Sequence, residues 1–171
     1  MRVRGKTPLA FSLIVPSSSA IRTRVAVVLQ EQWRKAGVKV RIEPLEINTF
    51  GSRMDSRKFE SLLNAWHIDA TPSSVREEWA SSEIRKGGYN ATSYRNPAFD
   101  AVIDSAVKEM NPTRSAALYR RGYRILTDDA PAMWLYELRN AQGVSKRIRT
   151  SGIRPDAWWA NLADWSVNNG N

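Results

Sequence analysis

The sequence predicts an α/β fold in which helices flank a mixed, partly parallel sheet. A strand pattern, an amphipathic helix pattern and a second strand pattern follow one another within residues 8–45. This is the order of a βαβ unit, whose two strands run parallel and whose crossover is right-handed. Further amphipathic patterns between residues 98 and 129 predict a helical hairpin, and the length of 171 residues is that of one ordinary domain.

Local signals delimit the first βαβ unit. Residues 8–16 are mostly apolar and end at a proline, and the three serines at 17–19 offer caps for a following helix. Gly37 is expected to end that helix in a left-handed conformation, and residues 38–45 alternate apolar and charged side chains like a strand with one wet face. Apolar spacings of three and four predict a buried helix face made of Ile21, Val25, Val28, Leu29, Trp33 and Ala36.

After a predicted helix over residues 47–58, residues 60–72 predict a short apolar strand that runs into a polar loop closed by proline. Trp66 and Asp69 fall at the end of this strand, where ligand sites of α/β sheets lie. An aromatic plane three residues from a carboxylate suits a ligand that carries an ammonium group and an organic side chain. The alternative is that Trp66 is a core residue and that Asp69 begins a turn or caps the next helix.

The second half of the chain predicts short helical turns over residues 73–79, a long irregular segment over residues 80–97 and then the hairpin. A nearly continuous apolar run over residues 130–136 predicts a strand covered on both faces. The predicted buried positions of the two hairpin helices are Phe99, Val102, Ile103, Ala106, Val107, Met110, Leu118, Tyr119, Gly122, Ile125 and Leu126, and the predicted outward arginines are Arg120, Arg121 and Arg124.

The residue content excludes several function classes. The chain has no cysteine and one histidine, His67, which removes thiolate metal sites and cysteine nucleophiles and closes most routes to a zinc site or a Ser-His-Asp arrangement. It also has no glycine motif for phosphate. We therefore predict that the protein is not an enzyme and carries no metal or cofactor. We find no apolar run long enough to span a membrane and expect no signal peptide in this chain.

The charge leaves an alternative function open. A net charge of +9 and a pI near 10.2 favour anionic partners. Arginine and tryptophan are mixed within residues 139–165, which supports the alternative of a basic nucleic-acid-binding domain. Against it, the basic residues are spread along the chain with acids among them, and outward arginines are more often a solvated helix face.

Several segments, taken in order and spacing, resemble one known family. They are Pro8-Leu-Ala-Phe-Ser-Leu with its serine turn, Arg24 to Val40, Ala65-Trp66 followed by Asp69, Asn90 to Tyr94 with Asn96-Pro97-Ala-Phe-Asp100, and Tyr119 to Leu126 leading to residues 129–136. Together they are similar to the C-terminal lobe of the extracytoplasmic solute-binding proteins of peptide/nickel ABC transporters, solute-binding family 5. The resemblance covers nearly the whole chain and implies one lobe of a periplasmic-binding-protein-like (type II) fold.

The resemblance implies a substrate-binding component, partial and of one lobe, that captures peptides or related small solutes in a cleft between lobes. Peptide binders of this family hold the α-ammonium group of the ligand with an acid after a Trp-x-x-Asp pattern, which residues 66–69 match. Asp69 is thus the expected ammonium anchor and Trp66 a pocket wall. His67, Tyr89 and Asn90 are further ligand-binding candidates.

The resemblance also sets expectations for organisation and partners. Residues 1–138 correspond to the ligand-binding lobe, and residues 139–171 to a tail that in full-length members returns to a first lobe, which we expect to be absent from this sequence. The expected partners are a small solute and an ABC transporter permease, without nucleic acid, at a periplasmic or other extracytoplasmic location. Tryptophans at 158, 159 and 165 would lack their usual partner surface, which favours a homodimer through this tail.

Overall fold

The computed structural model describes residues 3–4, 7–66, 72–138, 141–154 and 157–168. The strands and helices of the first half are β1 (Val3–Arg4), β2 (Thr7–Pro8), β3 (Ala10–Pro16), α1 (Ala20–Lys35), β4 (Lys39–Leu45), α2 (Ile47–Asp55) and β5 (Ser61–Leu62). β1 and β2 form a short antiparallel pair, whereas β3 pairs in parallel with β4 on one side and β5 on the other. The predicted parallel βαβ unit is confirmed.

The ends of α1 follow the predicted local signals. Ser19 has an extended backbone, and its hydroxyl accepts a hydrogen bond from the Arg22 N–H at 3.3 Å, which satisfies one of the free donors of the first turn. Gly37 stands just past the end of the helix with φ of 83°, a conformation that side chains with a Cβ disfavour.

The buried face of α1 matches the predicted one only in part: Val25 and Trp33 pack half-buried against the core, as predicted. Its buried residue is Ala26, whereas Ile21 and Val28 are 53% and 55% exposed and Ala36 is exposed as well. The spacing of apolar residues predicted a broad stripe, but spacing alone does not tell which side of such a stripe faces the sheet. The core between this helix and the sheet consists of Leu13, Val15, Ala26, Val40 and Leu63.

β4 is an edge strand of the described sheet. The Leu45 carbonyl accepts a hydrogen bond from the Ser17 N–H at 2.8 Å, so it faces the end of β3. Backbone groups of alternate residues point to opposite sides of a strand. Val40 therefore turns its carbonyl outward, where the Gln30 side chain of α1 donates to it at 2.9 Å. Pro44 stands on the same outer side.

Three helices form a second core: α3 (Ser74–Trp79), α4 (Pro97–Lys108) and α5 (Pro112–Asp129). α4 and α5 pack as the predicted hairpin, and Gly122 permits their close approach because a Cβ there would overlap the side chain of Ile103. Val107 and Met110 were predicted to be buried but are 48% and 91% exposed, since Met110 lies past the end of α4 and Val107 lies in its last turn. The residues of this core are Val75, Trp79, Phe99, Ile103, Ala106, Tyr119 and Leu126.

The irregular segment over residues 80–97 is organised around Asn90, whose side chain is fully buried. Its amide nitrogen lies 2.9–3.1 Å from the carbonyl oxygens of Trp79, Ala80 and Tyr94. Its amide oxygen accepts from the Tyr94 N–H at 3.1 Å. Because this one side chain bonds the backbone at both ends of the loop, the segment keeps a fixed path although the 3-10 helix Ser81–Glu83 is its main regular element.

The prediction of a strand over residues 130–136 is wrong. Ala130 leaves α5 in a left-handed conformation with φ of 47°, and the residues after it are neither helix nor strand. Met133, Trp134 and Tyr136 are 64%, 55% and 52% exposed. A strand covered on both faces needs a neighbour for its backbone and packing on each side, and the described part of the chain supplies neither here.

Two short strands occur in the tail, β6 (Ile148–Arg149) and β7 (Ser166–Val167), and they pair antiparallel. Between them the rings of Trp158 and Trp159 meet edge to face at 5.7 Å, and Trp165 lies 6.1 Å from Trp158. Within the described ranges, no helix combines the length and the apolar character needed to cross a bilayer.

Candidate ligand-binding edge of the sheet

The three parallel strands end at one edge of the sheet, which we call the carboxyl edge. β3 ends at Pro16 and leads through exposed Ser17 and Ser18 into α1. β4 ends at Leu45 and leads into α2, whose first turn is capped by Glu46: its carboxylate accepts from the N–H groups two and three residues further on, at 2.9 and 3.2 Å. Both helix starts at this edge are therefore capped by the protein itself.

β5 brings Trp66 to the same edge. The Leu63 N–H still donates to the Ile14 carbonyl of β3 at 3.0 Å, and the Leu63 side chain is buried. The chain then leaves the sheet, and Ala65 and Trp66 are exposed. At 40% exposure the Trp66 side chain is not a core residue, so the structure differs here from the alternative that the sequence left open.

His67 and Asp69 lie outside the described residues, as do the residues between and just after them up to position 71. Their roles as ligand-binding residues therefore stay predictions. The structure gives the positions on either side, Trp66 at the carboxyl edge and the start of α3 at Ser74.

Side chains fix β5 although it has only two residues. The Glu60 carboxylate accepts hydrogen bonds from both the hydroxyl and the N–H of Ser12, at 2.8 and 2.7 Å. The Ser61 hydroxyl donates to the Ser12 carbonyl at 2.6 Å. The hydrogen bonds from the Ser12 hydroxyl and N–H hold the pKa of Glu60 below its usual value. β5, which leads to Trp66, is thus tied to the central strand by side chains as well as by backbone pairing.

Arg57 links the turn before β5 to the irregular segment. Its own φ is 56°, and its guanidinium lies 3.1 Å from the Asn90 carbonyl. The same group reaches the carbonyls of Arg85 and Glu83 at 3.3 and 3.4 Å. The planar guanidinium therefore donates hydrogen bonds to three carbonyl oxygens of one loop. Neither Arg57 nor Glu60 was singled out from the sequence.

Tyr89 and Asn90 have different places in this loop. The Tyr89 side chain is 58% exposed and free to meet a ligand, whereas the Asn90 side chain is buried in the loop's own hydrogen bonds. Among the described residues, the rings of Tyr89 and Trp66 do not contact each other. In the same described part of the chain, no cluster of His, Asp and Glu side chains is arranged to hold a metal ion.

Comparison with known proteins identifies the family. Residues 2–86 match the family described as bacterial extracellular solute-binding proteins, family 5 Middle. The chain is 23% identical over 158 residues to the oligopeptide-binding protein AppA of Bacillus subtilis, covering 91% of this chain and 29% of AppA. It is 26% identical over 137 residues to the periplasmic oligopeptide-binding protein OppA of Salmonella typhimurium, covering 79% of this chain and 24% of OppA.

Solved structures give the same fold. The structure of AppA from Bacillus subtilis in complex with a nonapeptide superposes with a TM-score of 0.83 at 22% identity, covering 96% of this chain and 33% of AppA. NikZ from Campylobacter jejuni in complex with Ni(L-His) gives a TM-score of 0.76 at 20% identity, covering 96% of this chain and 34% of NikZ. These neighbours are periplasmic binding proteins of the type II fold, so the predicted fold class is confirmed.

The matches give the nucleic-acid alternative no support, and family 5 proteins bind solutes for transport and are not catalysts. The chain spans about a quarter to a third of the length of the relatives named here. It belongs to the bacterial extracellular solute-binding proteins of family 5 and corresponds to part of such a protein.

Proposed function

We propose that this chain is a ligand-binding lobe of the substrate-binding component of an ABC transporter and that it captures peptides or related small solutes. The observation that carries the proposal is the exposed indole of Trp66 at the carboxyl edge of a parallel sheet. Open α/β sheets bind ligands outside the carboxyl ends of their strands. The names of two relatives, both oligopeptide-binding proteins, support peptides as the ligand class.

In this proposal Asp69 accepts hydrogen bonds from the α-ammonium group of a peptide, three residues beyond Trp66. A charge-assisted hydrogen bond of this kind recurs for every peptide whatever its side chains. The Trp66 indole supplies apolar area for the first side chain, and His67 supplies a further polar contact beside it. The remaining peptide backbone is held by hydrogen bonds that do not depend on sequence.

Tyr89 is the proposed ligand contact from the irregular segment, because its ring is exposed and its loop is held by Arg57. Asn90 acts on the site through this loop, because its buried amide fixes the backbone that carries Tyr89. In this proposal the segment after β5 provides the main ligand contacts, and the loop that carries Tyr89 provides additional ones.

We also propose an extracytoplasmic location and a transporter permease as partner, since relatives are described as periplasmic binding proteins. Residues 1–138 form the ligand-binding lobe in this proposal, and residues 139–171 form the tail. Trp158 and Trp159 are 42% and 53% exposed and give the tail an apolar surface for a second copy. Sedimentation of the chain with both indoles replaced by serine tests the dimer, which should dissociate.

The ligand proposal is tested by following the indole N–H signal of Trp66 in NMR spectra while tri- to pentapeptides are added. We expect saturable shifts of this signal with a Kd in about the millimolar range, because the edge is open to solvent and gives few contacts. Asp69→Asn should weaken binding by about tenfold or more, since it removes the charge from a charge-assisted hydrogen bond. Asp128→Asn, at an exposed position of α5, is the matched control.

Titrations with two further kinds of ligand complete the experiment. N-acetylated peptides lack the ammonium group and should lose the same affinity as Asp69→Asn. A duplex oligonucleotide, added at two salt concentrations, tests binding through bulk charge, which weakens steeply with salt. Equal binding of acetylated and free peptides, or equal losses in the Asp69 and Asp128 variants, would overturn the proposed anchor.

A further inference from the structure

A small cleft lies on the helical core, on elements other than those that form the carboxyl edge. Its volume is about 260 Å³, and it is bounded by α3, α5 and the segment after α5. This is below the usual size of a drug-like site but sufficient for a group the size of one side chain. The side chains that determine its chemistry are Ser74, Glu78, Trp79, Tyr123, Leu126 and Trp134.

One carboxylate, that of Glu78, stands in this cleft. The pKa of Glu78 is raised above its usual value, chiefly by burial and also by the charge of neighbouring Glu77. The seven ion pairs found among the described residues involve other acids and do not include Glu78. A partly desolvated carboxylate next to a like charge is stabilised when a cation binds in contact with it.

Aromatic rings form the walls around this carboxylate. The indoles of Trp79 and Trp134 lie 6.0 Å apart with their planes inclined at 51°. Trp79 is buried and held edge to face by Tyr94 at 6.4 Å, so this wall is fixed before any ligand arrives. Tyr123 completes the cleft, and its phenol is close enough to Glu78 for that charge to contribute to a raised pKa of the tyrosine, after burial.

We propose that this cleft binds a primary alkylammonium group, with its charge at the Glu78 carboxylate and its apolar stem against the indoles. Aromatic faces attract cations, and the indole of tryptophan is the strongest of them. The cleft is small and Glu78 is the one carboxylate among the described residues of its lining, which suits a compact ammonium group that pairs as a point charge.

The test follows the indole N–H signals of the 171-residue chain in NMR spectra during titration with n-butylammonium chloride. The signals of Trp79 and Trp134 should shift and saturate, while those of the tail tryptophans Trp158 and Trp159 stay in place. n-Butanol has the same stem without the charge and should cause no saturable shift. Sodium chloride at matched concentration controls for ionic strength.

Two neighbouring acids provide matched variants. Glu78→Gln should weaken n-butylammonium binding by about tenfold, because the amide has no charge to pair with the ammonium group. Glu77→Gln removes the same charge one residue away, at an exposed position outside the cleft lining, and should leave affinity within about twofold. Circular dichroism checks that both variants fold like the parent chain.

Two sources of the ammonium group are separated by adding a capped Gly-Lys-Gly peptide and its norleucine analogue. Saturable binding of the lysine peptide alone identifies a polypeptide side chain, and binding of n-butylammonium alone identifies a small free amine. Absence of saturable shifts at Trp79 and Trp134 with both ammonium probes, or equal losses in the Glu77 and Glu78 variants, would overturn the proposal.

Discussion

Replacing Asn90 by alanine should destabilise the helical core strongly, although Asn90 itself lies in neither a helix nor a strand. Its side chain is fully buried and bonds to the carbonyls of Trp79, Ala80 and Tyr94 and to the Tyr94 N–H. Alanine removes all of these partners at once. The backbone groups they leave behind remain at the packed junction of α3 with the loop, where water has little access.

The magnitude follows from counting those backbone groups. Each buried donor or acceptor left without a partner costs about 1–3 kcal/mol, and partial relaxation of the loop recovers some of that cost. We expect the free energy of unfolding to fall by about 3–4 kcal/mol and the melting temperature by about 10 °C. Asn90→Asp should cost at least as much, because it keeps the shape but turns the amide donor into an acceptor facing carbonyl oxygens.

Urea unfolding followed by tryptophan fluorescence and by circular dichroism measures this loss. Asn48→Ala, at an exposed position of α2, is the matched control and should change the free energy of unfolding by less than about 0.5 kcal/mol. A loss in Asn90→Ala no larger than that of the control would refute the structural role given to the buried amide.

Three further predictions concern other features of the fold. Gly122→Ala should destabilise the hairpin by about 1–3 kcal/mol, because the added Cβ overlaps the Ile103 side chain of α4. Gly51→Ala should instead stabilise α2 by about 0.5–1 kcal/mol, because an added Cβ there meets nothing within 4 Å. Thermal unfolding measures both, and effects of the same sign would contradict the packing described. The pKa of Glu60 is lowered in the folded state, so its contribution is present above the usual value of 4.5 and is lost as pH falls through the lower folded value. Glu60→Gln should therefore lower stability at about pH 7 and flatten its decline in acid, and unchanged acid dependence in urea unfolding would argue against this. Arg57→Ala should speed amide hydrogen exchange over residues 81–94 by about tenfold or more, because it removes a charged donor from three carbonyls. Unchanged exchange would show that the loop keeps its conformation without Arg57.

The parts of the fold that the sequence predicted are those set by neighbouring residues. Ser19 caps α1 and Gly37 ends it because both effects act within one helical turn. The parts that it missed depend on what lies opposite in space. The same apolar run that predicts a strand at residues 130–136 is exposed when the described chain supplies no covering surface, and the apolar stripe of α1 gave no sign that Ala26 would face the sheet.

In the candidate site, too, local features could be predicted from the sequence and contacts between distant residues could not. The strand end could be expected from a short apolar stretch followed by polar residues and proline, whereas the exposure of Trp66 could not, because the same stretch also allowed a core position for this ring. The supports of the site could not, because Glu60 meets Ser12 at a separation of 48 residues and Arg57 meets Asn90 at a separation of 33 residues. No local pattern marks such pairs, since each residue type by itself is an ordinary surface residue.

The outer side of β4 limits how the sheet can grow. A newly added strand would need backbone donors and acceptors along that side, but Pro44 has no N–H and the Val40 carbonyl is already taken by Gln30. Edge strands blunted in this way resist unwanted pairing between chains. Extension of the sheet, whether by more of the same polypeptide or by another molecule, is therefore favoured beyond β5, next to the strand end that carries Trp66.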